Sequence, residues 1–252
     1  MLREDTVFGP IFSRRLGQSL GINLLPTKGK ICNFDCIYCE CGWNRDGTLD
    51  KEIPSREEVR LRLEEALIRI SKEGTKVDSI TFSGDGEPTL NPEFPGIIDD
   101  TLMLRDRYLP GAKVSVLSNA TRVHIPEVFE ALKKVDSPIL KIDAPTTELA
   151  SKINRPAPGY ELERVVESLE KFEGDFILQT MFLRSPDFDS ASMDVLEGWK
   201  SIVRRLRPRE IMVYSIDRRT PEQSLQKIPA DELRAIADRI TRETSIPVQL
   251  TL

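Results

Sequence analysis

Cysteine is confined to one short stretch of this sequence. All four cysteines of the 252 residues lie between Cys32 and Cys41. A disulfide framework spreads its thiols to close long loops, so that class is set aside. Histidine is nearly absent: His124 is the only one, in a loop where a surface position is expected. No Ser/His/Asp triad and no P-loop is visible. No apolar run approaches the roughly 18 residues that a membrane helix needs. The N-terminus, Met1-Leu2-Arg3-Glu4-Asp5, is charged at once and carries no apolar signal core. A cytoplasmic location without a membrane partner is expected. There is no interdomain linker, repeat or low-complexity tract, so one domain over 1–252 is expected, with 1–25 as N-terminal segment and first strand. The net charge of −5 argues against non-specific wrapping of nucleic acid. Local basic patches remain at Arg14-Arg15, at Arg204, Arg205, Arg207 and Arg209, and at Arg218-Arg219. The plain reading of such a patch is a solvated face.

What is present alternates. Ser55 and Glu58 form a capping box, followed by Val59, Leu63, Ala66, Leu67 and Ile70 at helical spacing. Strands are expected near Gly21–Leu25, at Val77 to Phe82, Lys113–Leu117, Ile139–Ile142, Phe176–Phe182 and Ile211–Tyr214. Helices fall between them, near 95–107, 126–134, 159–172, 192–206 and 230–242. The tail from Ile246 to Leu252 reads as a closing strand. About six β/α units imply an α/β fold with a parallel sheet. In a parallel barrel, chemistry sits at the C-terminal ends of strands. Gly84-Asp85-Gly86-Glu87, Ser118-Asn119, Asp143 and Arg184 fall at such ends.

Residues 32–39 read Cys-Asn-Phe-Asp-Cys-Ile-Tyr-Cys, a C-x3-C-x2-C pattern within a loop over 26–44. Four thiols packed together in an otherwise cysteine-free chain read as metal ligands. Three thiolates can bind three irons of a cubane and leave the fourth iron open, whereas most electron-transfer clusters use four cysteines. Structural zinc on Cys32, Cys36, Cys39 and Cys41 is the bland alternative. Zinc ribbons, however, use two separated C-x2-C knuckles, which this chain lacks.

The spacing resembles the signature of the radical S-adenosylmethionine (SAM) superfamily. The resemblance implies a partial (β/α)6, TIM-like radical SAM barrel. It implies a [4Fe-4S] cluster on Cys32, Cys36 and Cys39 whose open iron chelates SAM. Reductive cleavage of SAM then yields a 5′-deoxyadenosyl radical that takes a hydrogen from the substrate. The electron comes from a low-potential donor of flavodoxin or ferredoxin type. Cys41 is then a spare thiol.

Gly84-Asp85-Gly86-Glu87-Pro88 resembles the glycine-glycine-glutamate motif that holds the amino group of SAM in this superfamily. Glycines admit close backbone approach, and a carboxylate suits an ammonium. By the same resemblance Tyr38 matches the aromatic near the adenine, and Ser118 and Asn119 match polar contacts to SAM. Lys141 and Asp143, on one face of their strand, fall where relatives contact ribose or carboxylate. Gln179 is a polar residue in an apolar strand; it points either inward toward SAM or outward. Arg155, in Asn154-Arg155-Pro156, reaches either the cofactor or the surface. Trp43 follows the cluster loop and is a candidate cover for it.

The stretch from Phe8 to Asn23, containing Ser13-Arg14-Arg15, is similar to the radical SAM group related to the wyosine-base (tRNA imidazoguanosine) synthases. Those synthases carry a second cluster on three additional cysteines, which this chain lacks. Only the radical-initiating core therefore transfers. Paired arginines suit phosphate oxygens, or they stitch the N-terminal segment down. Three functions stay open: an enzyme modifying RNA or a nucleotide, an enzyme acting on a protein or peptide such as a glycyl-radical activase, and a non-catalytic iron–sulfur or zinc protein.

Overall fold

The computed structural model describes residues 5–46 and 52–252. Of the charged N-terminal run, Met1 to Glu4 lie outside the described residues. The chain divides into two compact units. One comprises Met1–Asn33, Asn44–Ser118 and Arg122–Pro138; the other comprises Phe34–Trp43, Asn119–Thr121 and Ile139–Leu252.

The first unit contains β1 (Val7–Ser13), β2 (Gly17–Ile22), α1 (Arg56–Glu73), β3 (Ser79–Phe82), α2 (Phe94–Tyr108), β4 (Lys113–Ser118) and α3 (Pro126–Lys134). Its strands lie in the order β1-β2-β3-β4, with β1 antiparallel and the rest parallel. The register pairs Leu20 with Ile80 and Val114, and Ile22 with Phe82 and Val116, all six fully buried. Strands covered on both faces read as continuous apolar runs, as these do. In α1 the Ser55 side chain accepts from Glu58 N, and Gly74 closes the helix with φ +64°. Its buried residues are the five expected from the helical spacing, Val59, Leu63, Ala66, Leu67 and Ile70.

The first strand is a correction. It spans Gly17–Ile22 rather than Gly21–Leu25, and β1 precedes it as an antiparallel edge strand. Gly9-Pro10 breaks the alternation, and the register shifts between Phe8 and Ile11. Proline lacks a ladder donor, which only an edge strand tolerates. In the hairpin turn, Ser13 Oγ accepts from the backbone N of Arg15 and Leu16.

The second unit holds the last three residues of β5 (Ser137–Lys141). It continues with α4 (Thr147–Ile153), α5 (Leu162–Glu170), β6 (Ile177–Met181), β7 (Leu183–Ser185) and β8 (Phe188–Asp189). It ends with α6 (Met193–Leu206), β9 (Glu210–Tyr214), β10 (Gln226–Lys227), α7 (Ala230–Thr244) and β11 (Val248–Thr251). Strands β5-β6-β9-β11 are parallel neighbours, and β10-β7-β8 form a small antiparallel sheet. The helix expected over 159–172 is shorter, and α4 precedes it. Pro156, Pro158 and Gly159 separate the two, because proline cannot continue a helix. The α/β class, the parallel strands and the closing strand at the tail are as expected. Among the described residues no helix is long and apolar enough to cross a membrane.

Candidate active site

In the first unit the glycine loop follows β3 and is crowded by the protein itself. A Cβ on Gly84 would lie 2.2 Å from Asn23 Oδ1. Gly86 has φ +143°, and a Cβ there would lie 1.8 Å from the Ile31 carbonyl oxygen. Both positions therefore demand glycine. The loop is bonded to the segment entering the cysteine motif: Ile31 N donates to Asp85 O (3.1 Å), and Glu87 N donates to Ile31 O (3.1 Å). Buried Asn23 reinforces this, donating to Asp85 Oδ2 (3.2 Å) and accepting from Asp85 N (3.1 Å). Glu87 is buried. Its Oε1 accepts from Thr89 N (3.1 Å), Thr89 Oγ1 (2.6 Å) and Ser118 Oγ (2.8 Å). Ser118 at the end of β4 thus meets Glu87. Cys32 belongs to this unit, where its carbonyl accepts from Asn44 Nδ2 (3.1 Å).

In the second unit the cysteine loop is laid against the end of α4. Asp35 N donates to Asn154 O and Ile37 N to Ile153 O, and a turn from Cys36 O to Cys39 N (3.1 Å) follows. Ile37 and Tyr38 pack with Ala144, Ala150, Ile153, Met181 and Leu183. The Tyr38 hydroxyl donates to Asp143 Oδ2. That oxygen also accepts from Asn154 Nδ2 (2.8 Å), and Asp143 Oδ1 accepts from Met181 N (2.9 Å). The Lys141 ammonium lies 3.5 Å from Asp143 Oδ1 and donates to the Tyr214 hydroxyl at 2.6 Å. It also sits 5.3 Å from the Tyr38 ring centroid and 4.9 Å from that of Tyr214, within cation–π range. Tyr214 in turn faces Gln179 Oε1 at 3.5 Å. Gln179 points inward, and its Nε2 is buried without a hydrogen-bond partner.

Electrostatics follow from this burial. Desolvation opposes the Lys141 charge, but Asp143 and Tyr214 outweigh it and its pKa is raised. Burial and the Asp143 carboxylate push Tyr38 well above the ordinary phenol value. Burial raises the Cys36 thiol to about 11, against the Asn154 hydrogen bond, which lowers it.

The structure thus brings Gly84, Gly86, Glu87 and Ser118 together in one unit, and Cys36, Tyr38, Lys141, Asp143 and Gln179 in the other. Asn119 instead holds its own turn, accepting from Thr121 N (3.1 Å) and Oγ1 (2.7 Å). Arg155 has φ +45° and stacks over the Trp43 ring at 4.7 Å. Arg184 pairs with Asp189 and Glu232. His124 is exposed. Sequence reasoning missed Asn154, Tyr214 and Thr89 as partners. Tyr214 ends a parallel strand, the same signal that singles out Asp143.

None of the four cysteines is in a disulfide. As they stand, no three His, Cys, Asp or Glu side chains among the described residues are grouped closely enough to hold a metal ion. The donor chemistry nevertheless fits an iron–sulfur cluster. The thiols are half-buried in one loop, and the Cys36 sulfur accepts an amide N–H from Asn154 at 3.4 Å.

The profile of the Radical SAM superfamily matches residues 27–177. A UPF0026 protein of Methanocaldococcus jannaschii is 32% identical over 74% of this chain and 56% of its own length. A UPF0026 protein of Synechocystis is 30% identical over 86% of this chain and 77% of its own length. The chain thus spans little more than half of the archaeal relative. Among solved structures, a radical SAM methyltransferase from Sphaerobacter thermophilus superposes with a TM-score of 0.69 at 14% identity, covering 92% of this chain and 65% of that one. Archaeal TYW1 is one of several further neighbours, with a TM-score of 0.55 at 14% identity, covering 90% of this chain and 72% of that one. At such identities these structures show a shared fold alone. The sequence matches carry the membership: this chain belongs to the radical SAM superfamily, in its UPF0026 family.

Proposed function

We propose that this protein is a radical SAM enzyme that modifies RNA or a nucleotide, with Cys32, Cys36 and Cys39 as the ligands of its [4Fe-4S] cluster. When bound, that cluster with SAM supplies reductive generation of a 5′-deoxyadenosyl radical, the electron coming from a flavodoxin- or ferredoxin-type donor. The chain's own residues bind and orient. Glu87 offers a carboxylate to the SAM ammonium, with Gly84 and Gly86 shaping the loop and Ser118 holding the carboxylate. Asn119, directly after Ser118, offers a further polar contact to SAM. Tyr38, Lys141 and Asp143 provide an aromatic face, a cation and an anion, and Gln179 Nε2 is a buried donor awaiting an acceptor.

The observation that carries the substrate reading is the tip of the β1–β2 hairpin. Phe12 is 72% exposed there, beside exposed Arg14 and half-buried Arg15. An exposed aromatic next to cations is the combination that stacks bases and tracks phosphates on single-stranded nucleic acid. The basic stretch at 204–209 does not add to this footprint. Arg205 pairs with Glu163 and Glu170, and Arg209 pairs with Asp175.

The test is RNA binding by the anaerobically reconstituted protein over a salt series. Phe12→Ala should weaken it by about 1–3 kcal/mol, the value of one stacked base. Arg14→Ala with Arg15→Ala should flatten the slope of log K against log salt by about 1.4, for two phosphate contacts on a single strand. A double variant with unchanged RNA binding but a much lower melting temperature makes the arginines anchors of the hairpin and removes the RNA reading's support.

A further inference from the structure

Asn154 caps the C-terminal end of α4 and is buried. Its Nδ2 lies 2.8 Å from Asp143 Oδ2, 3.1 Å from the Tyr38 hydroxyl and 3.4 Å from Cys36 Sγ. A carboxamide nitrogen carries two hydrogens, so one can serve the Asp143–Tyr38 pair while the other serves the sulfur. The backbone holds this geometry from both sides. Asn154 N donates to Ala150 O (2.7 Å), and Asn154 O accepts from Asp35 N (2.9 Å), next to Cys36. The side chain is therefore fixed by its own helix, by the cysteine loop and by a carboxylate.

Hydrogen bonds to the sulfurs are among the factors that set the reduction potential of an iron–sulfur cluster. The one-electron reduction adds negative charge that spreads onto those sulfurs, and a donor to a charged acceptor is stronger than one to a neutral acceptor. An N–H aimed at Cys36 favours the reduced form. We infer that Asn154 is a positioning residue that raises the reduction potential of the cluster bound through Cys36 and ties that sulfur to the Asp143–Tyr38 pair. This rests on the reading of Cys36 as a cluster ligand. Neither the cysteine motif nor the glycine loop contains Asn154; only the folding of α4 against the cysteine loop delivers it.

The experiment is an equilibrium redox titration of the reconstituted protein without SAM, followed by electron paramagnetic resonance. Asn154→Ala should load the same iron and sulfide as wild type. At a fixed donor potential its ratio of reduced to oxidised cluster should fall about tenfold, a midpoint about 59 mV more negative for one electron. Asn154→Ser, which restores a hydroxyl donor, should recover part of the shift. An alanine variant that loads normally and titrates at the wild-type midpoint overturns the inference while leaving Cys36 as a ligand. Where neither variant loads, hyperfine spectroscopy of the reduced wild-type cluster with 15N-labelled asparagine decides. A 15N coupling supports the bond, and its absence overturns it. A wild-type protein that takes up no [4Fe-4S] cluster instead defeats the ligand reading itself.

Discussion

Glu87 and Asp143 are both buried carboxylates in segments that follow parallel strands, and different donors hold them. Glu87 is bonded by neutral donors close to hand: the backbone and hydroxyl of Thr89, two residues on, and the Ser118 hydroxyl. Asp143 is bonded by Tyr38, from 105 residues earlier in the chain, by Asn154 and by Met181 N, and it has the Lys141 ammonium beside it. The first arrangement fixes one carboxylate oxygen with backbone and hydroxyl dipoles. The second has its charge balanced inside the protein and is built to position its neighbours.

The sharpest way to break this contrast is to remove the balanced carboxylate. Asp143→Ala leaves the part-buried Lys141 ammonium without its anion, and breaking a fully buried pair from one side costs about 3–5 kcal/mol, which bounds the loss from above. Urea denaturation should show that loss. A change below about 1 kcal/mol would mean that Lys141 is satisfied by Tyr214 alone and that the two carboxylates are less different than they look.

Glu87→Gln tests the other side. The amide oxygen still accepts from Thr89 and Ser118, so folding should move by less than about 1 kcal/mol. The ligand loses a charge-assisted bond of about 1.5–3 kcal/mol, and SAM affinity should fall about tenfold to a hundredfold by calorimetry. Equal affinity would remove Glu87 from the SAM site.

A second ion pair, in which a buried lysine of α6 reaches a partly exposed carboxylate of α7, serves as the remote control. Lys200 is fully buried and paired with Glu243 and Glu197. Hydrogen bonds from Lys200 and Arg239 hold the Glu243 carboxyl at about 2, below its ordinary 4.5. A depressed carboxylate stabilises the fold above its unfolded value, and that contribution is lost as pH falls through the folded one. The window is therefore from pH 4.5 down to about 2. Lys200→Met has less to lose, so its melting temperature should drop less than wild type across that window, with SAM affinity at neutral pH unchanged. An identical acid profile would place the sensitivity elsewhere.

These contrasts explain why the glycine loop of the first unit was readable and the partners of Asp143 in the second were not. The glycine loop is a local object. Gly84, Gly86 and Glu87 are consecutive or nearly so, and their spacing announces a tight turn ending in a carboxylate. The crowding that demands glycine, from Asn23 and Ile31, was invisible, although it is what holds the loop. Lys141, Asp143 and Gln179 could be picked out as polar residues at or near strand ends. Their partners Asn154 and Tyr214 could not, because nothing in a linear pattern says which side chains converge. The hairpin was missed for another reason: Gly9-Pro10 spoils the alternation that marks a strand, and an edge strand survives the defect.

By itself the sequence determined whatever depends on near neighbours. That includes the thiol spacing at Cys32, Cys36 and Cys39, the capped helix α1 with its apolar face, the alternation that yields a parallel α/β fold, and the turn carrying Glu87. Each follows from chain geometry over a few residues. Tertiary structure decided what depends on convergence: Tyr38 and Asn154 on Asp143, Lys141 between two tyrosines, and the amide N–H at the Cys36 sulfur. Those contacts form only when the ends of different strands and α4 are brought together by burial. Their energies come from removing charged and polar groups from water at a mutual distance the sequence does not state.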